Sequence, residues 1–182
     1  AAMQVEDLAK LSTASVAALG TAQIRALTTG TDGQVEGLTT DQVAALKTAQ
    51  VAALTTAQIT SIQTQDLVKL DSAQIKALTT AQIQALTTDV QVPALLSTQL
   101  NAMTSTQVAS LSNAQATALT SAQAANLGSL QAAALTTGAI AAMDVADVTA
   151  MNTAAVAAMS TDQIRALTTG DDGQIVGLTT AQ

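Results

Sequence analysis

Residues 70–85 read LDSAQIKALTTAQIQA, which is two consecutive copies of one eight-residue unit. Written from its Leu, the unit has the form Leu-Thr-Thr-Ala-Gln-Ile/Val-x-Ala, and its positions are numbered 1 to 8 below. Residues 46–61 supply two further copies, LKTAQVAA and LTTAQITS, and looser copies extend on both sides of them. A period this short is typical of a repeat protein that grows along one direction. We therefore predict that residues 1–182 form a single continuous repeat array.

Each unit carries the signature of a helix start. Thr at position 2 and Gln at position 5 make a capping box, in which the Thr hydroxyl accepts a hydrogen bond from the Gln amide and the Gln side chain reaches back to the Thr amide. Leu at position 1 and Ile or Val at position 6 have the spacing of a hydrophobic staple. Because position 3 is also nearly always Thr, Ser or Asn, the cap could lie one residue later. Other capping residues replace Thr at position 2 in several units: Ser12, Asp71, Ser112, Asn152 and Ser160.

Two other architectures compete with short helices. In one long helix, eight residues would advance by about 800°, so Leu and Ile/Val would spiral around the rod and form no apolar stripe. In a β-solenoid, apolar residues would alternate, whereas the apolar positions here are 1, 6 and 8, and Ala and Gln are poor strand residues. The sequence favours an all-α solenoid of very short helices, one per roughly eight-residue repeat, with Leu and Ile/Val in a narrow interior.

Two longer variant units depart from the motif. Residues 27–37 read LTTGTDGQVEG and residues 167–177 read LTTGDDGQIVG, so each unit gains three residues before its Gln. A capping residue stands three positions before each Gln, which predicts new capping boxes between Thr31 and Gln34 and between Asp171 and Gln174. The two units lie 140 residues apart with similar flanks, which indicates a super-repeat. Either a longer parent chain repeats this block, or successive subunits of a fibre meet in equivalent register.

The Gly-x-Asp-Gly segments of these units invite a comparison with calcium-binding loops, because carboxylates and carbonyls in a Gly-rich loop suit a hard cation. Asp32 has no second Asp beside it, however, and neither segment has the alternating Asp spacing of an EF-hand. We expect solvent-exposed turns whose Asp caps a helix, and we predict no metal-binding residue.

Composition excludes most enzyme chemistry. The chain has no His, Cys, Tyr, Trp or Phe, so it lacks the imidazole and thiolate groups that act as bases, nucleophiles and metal ligands near neutral pH. We therefore expect no enzymatic activity, no catalytic residue and no cofactor. Nucleic acid is not an expected partner, because there are no aromatic platforms for bases and the net charge of −7 repels phosphate. Polar residues interrupt every apolar stretch, so we expect no membrane span.

Charge is unevenly distributed along the chain. Residues 90–143 contain no charged side chain, whereas both flanking regions do. A solvated surface normally mixes charges of both signs. The neutral stretch is therefore either buried against a neighbour or a surface kept soluble by hydroxyl and amide groups.

The Ala-Leu-Thr-Thr-Ala-Gln-Ile/Val wording, seen across residues 45–58 and 77–85, resembles the degenerate repeats of very large bacterial proteins that are secreted or displayed at the cell surface. The resemblance implies a giant repeat protein or fibre, located extracellularly or at the cell surface, and it carries over no catalytic residues. Both ends of the chain fall inside the repeat, and no signal-peptide pattern is visible. We expect a mature fragment or a segment of a longer array.

Three classes of function follow from these observations. We favour a structural protein, a repeat segment or subunit of an extracellular fibre, filament or stalk, which self-associates end to end or forms part of a longer repeat chain. The alternative is a binding module that uses a repetitive Thr-rich surface to recognise a peptide, a cell surface or ice. An enzyme would need a Ser or Thr beside a Lys and a carboxylate, and the lysines sit in separate units: Lys10, Lys47, Lys69 and Lys76.

Overall fold

The computed structural model describes residues 4–169 and 173–182, and all regular elements in these residues are α-helices of four to six residues. Successive helices pack in a repeating pattern, so the prediction of a solenoid of very short helices is confirmed. The long-helix alternative is wrong because no described helix is longer than six residues. The β-solenoid alternative is wrong because the described ranges contain no strand. No helix in these ranges has the length and apolarity needed to cross a membrane.

The chain divides into two compact units, Ala1–Thr87 (unit 1) and Thr88–Gln182 (unit 2), which are described separately. The single continuous array over residues 1–182 therefore stays a prediction. The helices of unit 1 are α1 (Val5–Ala9), α2 (Thr13–Ala18), α3 (Thr21–Arg25), α4 (Thr40–Ala44), α5 (Thr48–Ala53), α6 (Thr56–Ser61), α7 (Thr64–Leu67), α8 (Ser72–Ala77) and α9 (Thr80–Ala85).

Unit 2 continues the same alternation of short helices and sharp corners. Its helices are α10 (Gln91–Ala94), α11 (Ser97–Ala102), α12 (Ser105–Ala109), α13 (Asn113–Thr117), α14 (Ser121–Ala125), α15 (Ser129–Ala134), α16 (Thr137–Ala142), α17 (Val145–Ala150), α18 (Thr153–Ala157), α19 (Thr161–Ala166) and α20 (Gln174–Gly177).

Each superhelical turn contains three repeats. In unit 1, α4 packs against α7, α5 against α8 and α6 against α9; in unit 2 the same rule runs from α11 against α14 to α17 against α20. Helices α2 and α3 pack against α4 and α5 instead, because the variant unit 27–37 contributes a turn in place of a helix. Three eight-residue repeats make one turn of about 24 residues. Short helices that are marginal alone are thereby stabilised by stacking.

Burial follows the position in the repeat. In residues 78–85, Leu78 (position 1), Gln82 (position 5) and Ile83 (position 6) are buried, Ala85 (position 8) is half-buried, and positions 2, 3, 4 and 7 are exposed. The predicted interior of Leu and Ile/Val is therefore confirmed, and Gln lies in it as well. The methionines at position 1 also fill this interior: Met103, Met143, Met151 and Met159.

The interior differs between turns. The valine turn (residues 38–61, helices α4–α6) has branched side chains at position 6: Val43, Val51 and Ile59. The alanine turn (residues 111–134, helices α13–α15) has only methyl groups at this position: Ala116, Ala124 and Ala132. The alanine turn thus lacks roughly seven buried side-chain carbons. At about 0.8 kcal/mol per buried CH₂, it has about 6 kcal/mol less hydrophobic stabilisation.

The 140-residue correspondence between the variant units extends to their surroundings. In unit 1, a Cβ added to Gly37 at the end of the first variant unit would collide with the side chain of Val5. In unit 2, a Cβ added to Gly177 would collide with Thr149 and crowd Val145. Both glycines therefore permit a close approach to the preceding turn.

Candidate functional site: the glutamine ladder

The conserved Gln of the repeat first acts within its own helix. In α6, the Gln58 amide donates to Thr55 Oγ1 (3.1 Å) and the Thr55 amide donates to Gln58 Oε1 (2.8 Å). The same reciprocal bonds form at Thr79 and Gln82. The predicted capping box is confirmed, and the cap is position 2 rather than position 3. Side chains at the substituted position 2 also accept from the helix start, at Ser12, Asp71, Ser112, Asn152 and Ser160.

The other end of the Gln amide reaches the turn before it. Gln58 Nε2 donates to the carbonyls of Ile24 and Leu27, both at 2.8 Å. These carbonyls lie at the C-terminal end of α3, where helix carbonyls lack partners within the helix. In α9, Gln82 Nε2 bonds in the same way to Val51 (2.8 Å) and Leu54 (2.7 Å). One side chain therefore completes the start of its own helix and the end of a helix one turn earlier.

These turn-to-turn bonds form what we call the glutamine ladder. Most of its members are no more than 7% exposed, so their amides are largely protected from competing water. Nε2 donates to carbonyls of the preceding turn in each member, and Oε1 accepts from the position-2 amide in the members other than Gln131, so these side chains are well satisfied. The ladder includes Gln42, Gln50, Gln58, Gln74 and Gln82 in unit 1 and Gln123, Gln131, Gln163, Gln174 and Gln182 in unit 2.

The repeat that builds this ladder also decides the family. A family model described as the ALTTAQ repeat matches residues 1–40, 32–62, 59–96 and 140–180, which cover well over half of the chain. The chain belongs to the ALTTAQ repeat family. No curated protein and no solved structure matches the sequence. Residues 97–139, which include the alanine turn, lie outside the matched ranges but form the same kind of helical turn as the ALTTAQ repeats around them.

The longer ALTTAQ units keep their capping box by looping out the insertion. Gln34 does not pair with Thr31 as predicted: its amide donates to Thr28 Oγ1 (3.2 Å), and the Thr28 amide donates to Gln34 Oε1 (3.1 Å). The Val35 amide also donates to the Thr28 carbonyl (3.1 Å), which restores the first helical bond across the loop. The prediction was wrong because the neighbouring turns hold position 2 of the unit in register. The inserted residues therefore leave the capping-box pairing of the unit intact.

The second longer unit repeats this arrangement. The Gln174 amide donates to Thr168 Oγ1 (3.1 Å), and the Thr168 amide donates to Gln174 Oε1 (2.9 Å). The predicted partner, Asp171, lies outside the described residues, but the box of Gln174 is closed by Thr168. Both longer ALTTAQ units thus share one solution.

The first inserted loop is a compact surface turn. Gly30 (φ 106°) and Asp32 (φ 66°) have left-handed backbone conformations, and the Gly30 amide donates to Glu36 Oε1 (2.8 Å). Asp32 is exposed, as expected, but Thr28 caps the following helical turn in its place. A surface cavity of about 300 Å³ lies beside the loop and is lined by Gln4, Val5, Glu6 and Asp32. Within residues 4–169 and 173–182, no group of three or more Asp or Glu side chains could hold a metal ion.

The ladder is interrupted above the alanine turn. The three repeats of the next turn, helices α16–α18, carry Ala139, Asp147 and Ala155 at position 5, so none has a Gln amide to donate. Asp147 is only 4% exposed, and its Oδ1 accepts from the Ser121 hydroxyl at 2.6 Å. In unit 1, Asp66 replaces a single Gln in the same way and accepts from the Thr40 hydroxyl at 2.6 Å.

Other side chains bridge this gap from the outside. Asn152 Nδ2 donates to the Leu127 carbonyl (2.8 Å), an acceptor of the kind that a ladder Gln would take. Thr117 Oγ1 donates to the Ala142 carbonyl (2.8 Å), and Ser129 Oγ donates to the Ala154 carbonyl (3.0 Å). These three donors are exposed, in contrast to the ladder. The turns are held together, but by bonds that water can reach.

The sequence predicted no catalytic, cofactor or metal residue. It did not predict that the Gln Nε2 group donates to carbonyls of the preceding turn. A signal for this role was present. Gln stays at position 5 where position 2 has no hydroxyl to pair with it, at Gly20, Lys47 and Leu96. Because Gln is retained where position 2 cannot accept a hydrogen bond from its amide, the Gln side chain must also have a partner outside its own repeat.

Proposed function

We propose that the chain is a structural protein, a repeat segment or subunit of an extracellular or cell-surface fibre, filament or stalk. One observation carries this proposal: the two sides of a turn are complementary. Each ladder Gln points its Nε2 toward the preceding turn, and each helix end offers its carbonyls to the following turn. The same contact can therefore be repeated without limit, which suits a part that sets length or spacing.

The surface supports a structural rather than a catalytic role. Ladder and core use positions 1, 5 and 6, and the exposed positions carry mainly Thr, Ser, Ala and Asn. The chain contains no His or Cys for acid–base or nucleophilic chemistry. We therefore propose no enzymatic activity and no cofactor, and with a net charge of −7 we propose no nucleic-acid partner.

The resemblance to repeats of secreted and surface-displayed proteins supports an extracellular location. Immunogold labelling of intact cells of the source organism, compared with permeabilised cells, tests this. Labelling that appears only after permeabilisation would overturn the extracellular location but would not contradict the structural role.

Self-association is tested by sedimentation velocity over a concentration series, followed by negative-stain electron microscopy. We expect particles that lengthen with concentration at constant width. Gln23 is an exposed position-5 Gln whose Oε1 accepts from the Gly20 amide, so its Nε2 can donate to a turn of a second copy. Gln23→Ala should shorten the particles, whereas Gln84→Ala, at exposed position 7, should not. A monomer at all concentrations would overturn end-to-end assembly and favour a segment that works within a longer chain.

A binding module is the second candidate, because most repeats carry a hydroxyl at position 3 beside the capping residue at position 2. Position 2 closes the capping box, whereas position 3 is exposed at Thr48, Thr56 and Thr80. Regular hydroxyl rows can present a repetitive surface to a peptide, a cell surface or ice. Thermal hysteresis of the purified chain, lost in Thr48→Val/Thr56→Val/Thr80→Val, would support the ice-binding version. No hysteresis would remove that version.

A further inference from the structure

Two weaknesses of the array coincide at one layer of unit 2. The alanine turn has only methyl groups at position 6, and the turn stacked on it, α16–α18, has no Gln at position 5. In the valine turn, by contrast, branched side chains fill position 6, and Gln74 and Gln82 of the following turn donate to its carbonyls. The layer between α13–α15 and α16–α18 therefore has no branched position-6 side chains from the alanine turn and no Gln donors from α16–α18, although Ala lets its helices pack closely.

The bonds that remain across this layer come from exposed residues. Thr117 donates to Ala142 and Ser129 to Ala154 at the surface, whereas Asn152 donates to Ala125 at the surface and to Leu127 in a half-buried position. Local opening of a protein is easiest where few apolar contacts are buried and hydrogen bonds are exposed to solvent. The bond between the exposed Ser121 and the buried Asp147 carboxylate is also half-buried.

We propose that the layer between α13–α15 and α16–α18 is a built-in opening point. It separates before the other described layers of unit 2 and before the layer that follows the valine turn in unit 1. The closed layer is held by the surface bonds and by the Ser121–Asp147 pair. The opening is a property of the folded chain and does not depend on fibre formation. In a structural segment under tension, extension would begin here.

Hydrogen–deuterium exchange of the full chain, followed by mass spectrometry of peptides, tests the opening. Amides of residues 113–134 and 145–157 should exchange roughly tenfold faster, after correction for intrinsic rates, than amides of residues 48–61. Exchange that is equal in the two regions, or faster in residues 48–61, would overturn the proposal.

Two variants move the feature in opposite directions. The restored variant, Ala139→Gln/Asp147→Gln/Asn152→Thr/Ala155→Gln, returns the ladder to the layer and should slow exchange of residues 113–134 by roughly tenfold. The transplanted variant, Gln74→Ala/Gln82→Ala, leaves a turn with one Asp and two alanines at position 5 and should accelerate exchange of residues 48–61 by a similar factor.

Each of the two variants contains an internal reference region that distinguishes a local effect from misfolding of the whole chain. In the restored variant, exchange of residues 48–61 serves as the internal reference and should not change; in the transplanted variant, residues 113–134 serve this purpose. A single change, Asn152→Thr, keeps a side-chain oxygen to cap α18 but removes the Nδ2 donor to the Ala125 and Leu127 carbonyls, and it should accelerate exchange of residues 113–134. No slowing in a folded restored variant would show that the missing ladder does not control the opening and would overturn the proposal.

Discussion

The valine turn and the alanine turn share one backbone plan but differ in how they adhere to the next turn. Both contain three short helices, two of which begin at a full capping box, with Leu at position 1 buried. Only the valine turn combines branched residues at position 6 with Gln donors from the turn after it. The comparison teaches that helix initiation and turn-to-turn adhesion are separable: the first is local to eight residues, and the second can be weakened without loss of the helix pattern.

Removing the branched core from the valine turn should have the largest effect. Ile59→Ala empties the fully buried position 6 of α6 and should destabilise the chain by about 3 kcal/mol, the range for Ile→Ala in a packed core. Urea denaturation monitored by circular dichroism measures this, with exposed Thr60→Ala as the control. A loss below about 1 kcal/mol would mean that position 6 does not explain the difference between the turns.

Breaking the ladder should cost the same in both turns. Gln58→Ala leaves the carbonyls of Ile24 and Leu27 without their donor, and Gln123→Ala does the same to Val92 and Leu95. Each change should cost about 2 kcal/mol, since unsatisfied buried polar groups cost about 1–3 kcal/mol. Equal shifts in the urea midpoint would show that the ladder is a shared feature.

The exposed Gln84→Ala is the matched control for both ladder variants, because Gln84 lies at position 7 on the surface. A destabilisation by Gln123→Ala far below that by Gln58→Ala would contradict the assumption that the alanine turn is weakly attached only to the turn that follows it.

Hydroxyl donors to the buried carboxylates should have an intermediate effect. Ser121→Ala removes the hydrogen bond to Asp147, and Thr40→Ala removes the one to Asp66. Each should destabilise by about 1–2 kcal/mol, because a buried carboxylate loses its donor. Thermal melts check this against Ser105→Ala, an exposed position-3 residue. If Ser121→Ala behaved like Ser105→Ala, the carboxylate–hydroxyl pair would not help to close the layer above the alanine turn.

Shortening the first variant unit should have the smallest effect. Deletion of residues 30–32 returns the unit to eight residues and leaves Thr28 and Gln34 at the normal capping-box spacing. Since the loop is exposed and already lies outside the stacked part, the free energy of unfolding should change by about 0.5 kcal/mol or less. Urea denaturation measures it. A loss comparable to that of Ile59→Ala would show that the loop contributes to the packed turn.

The sequence predicted what is local and left open what is distant. The cap at Thr55 and its Gln58 partner are three residues apart, so a spacing rule finds them. The second partners of Gln58 lie 31 and 34 residues away, and no local rule predicts three repeats per turn or the carbonyls that this number brings together. The same limit explains the wrong pairing of Thr31: a correct local spacing was overridden by stacking that holds Thr28 in place.

The alanine turn was visible in the sequence but was not interpreted. Ala116, Ala124 and Ala132 stand where other repeats carry Ile or Val, and this signal acquires meaning only when the three residues are known to share one turn. The exposed side chains among the uncharged residues 90–143 are mainly hydroxyl, amide and small apolar groups, and both interpretations of that stretch stay predictions.

Three repeats per turn also restrict how such a chain can change in length. A duplication or deletion of 24 residues adds or removes one whole turn, and every later side chain keeps the face of the solenoid that it had before. A change of a single eight-residue repeat preserves every capping box but rotates all following residues to the next face. An insertion of 24 residues therefore only lengthens the array, whereas an insertion of eight residues also changes which side chains lie on each face of the solenoid.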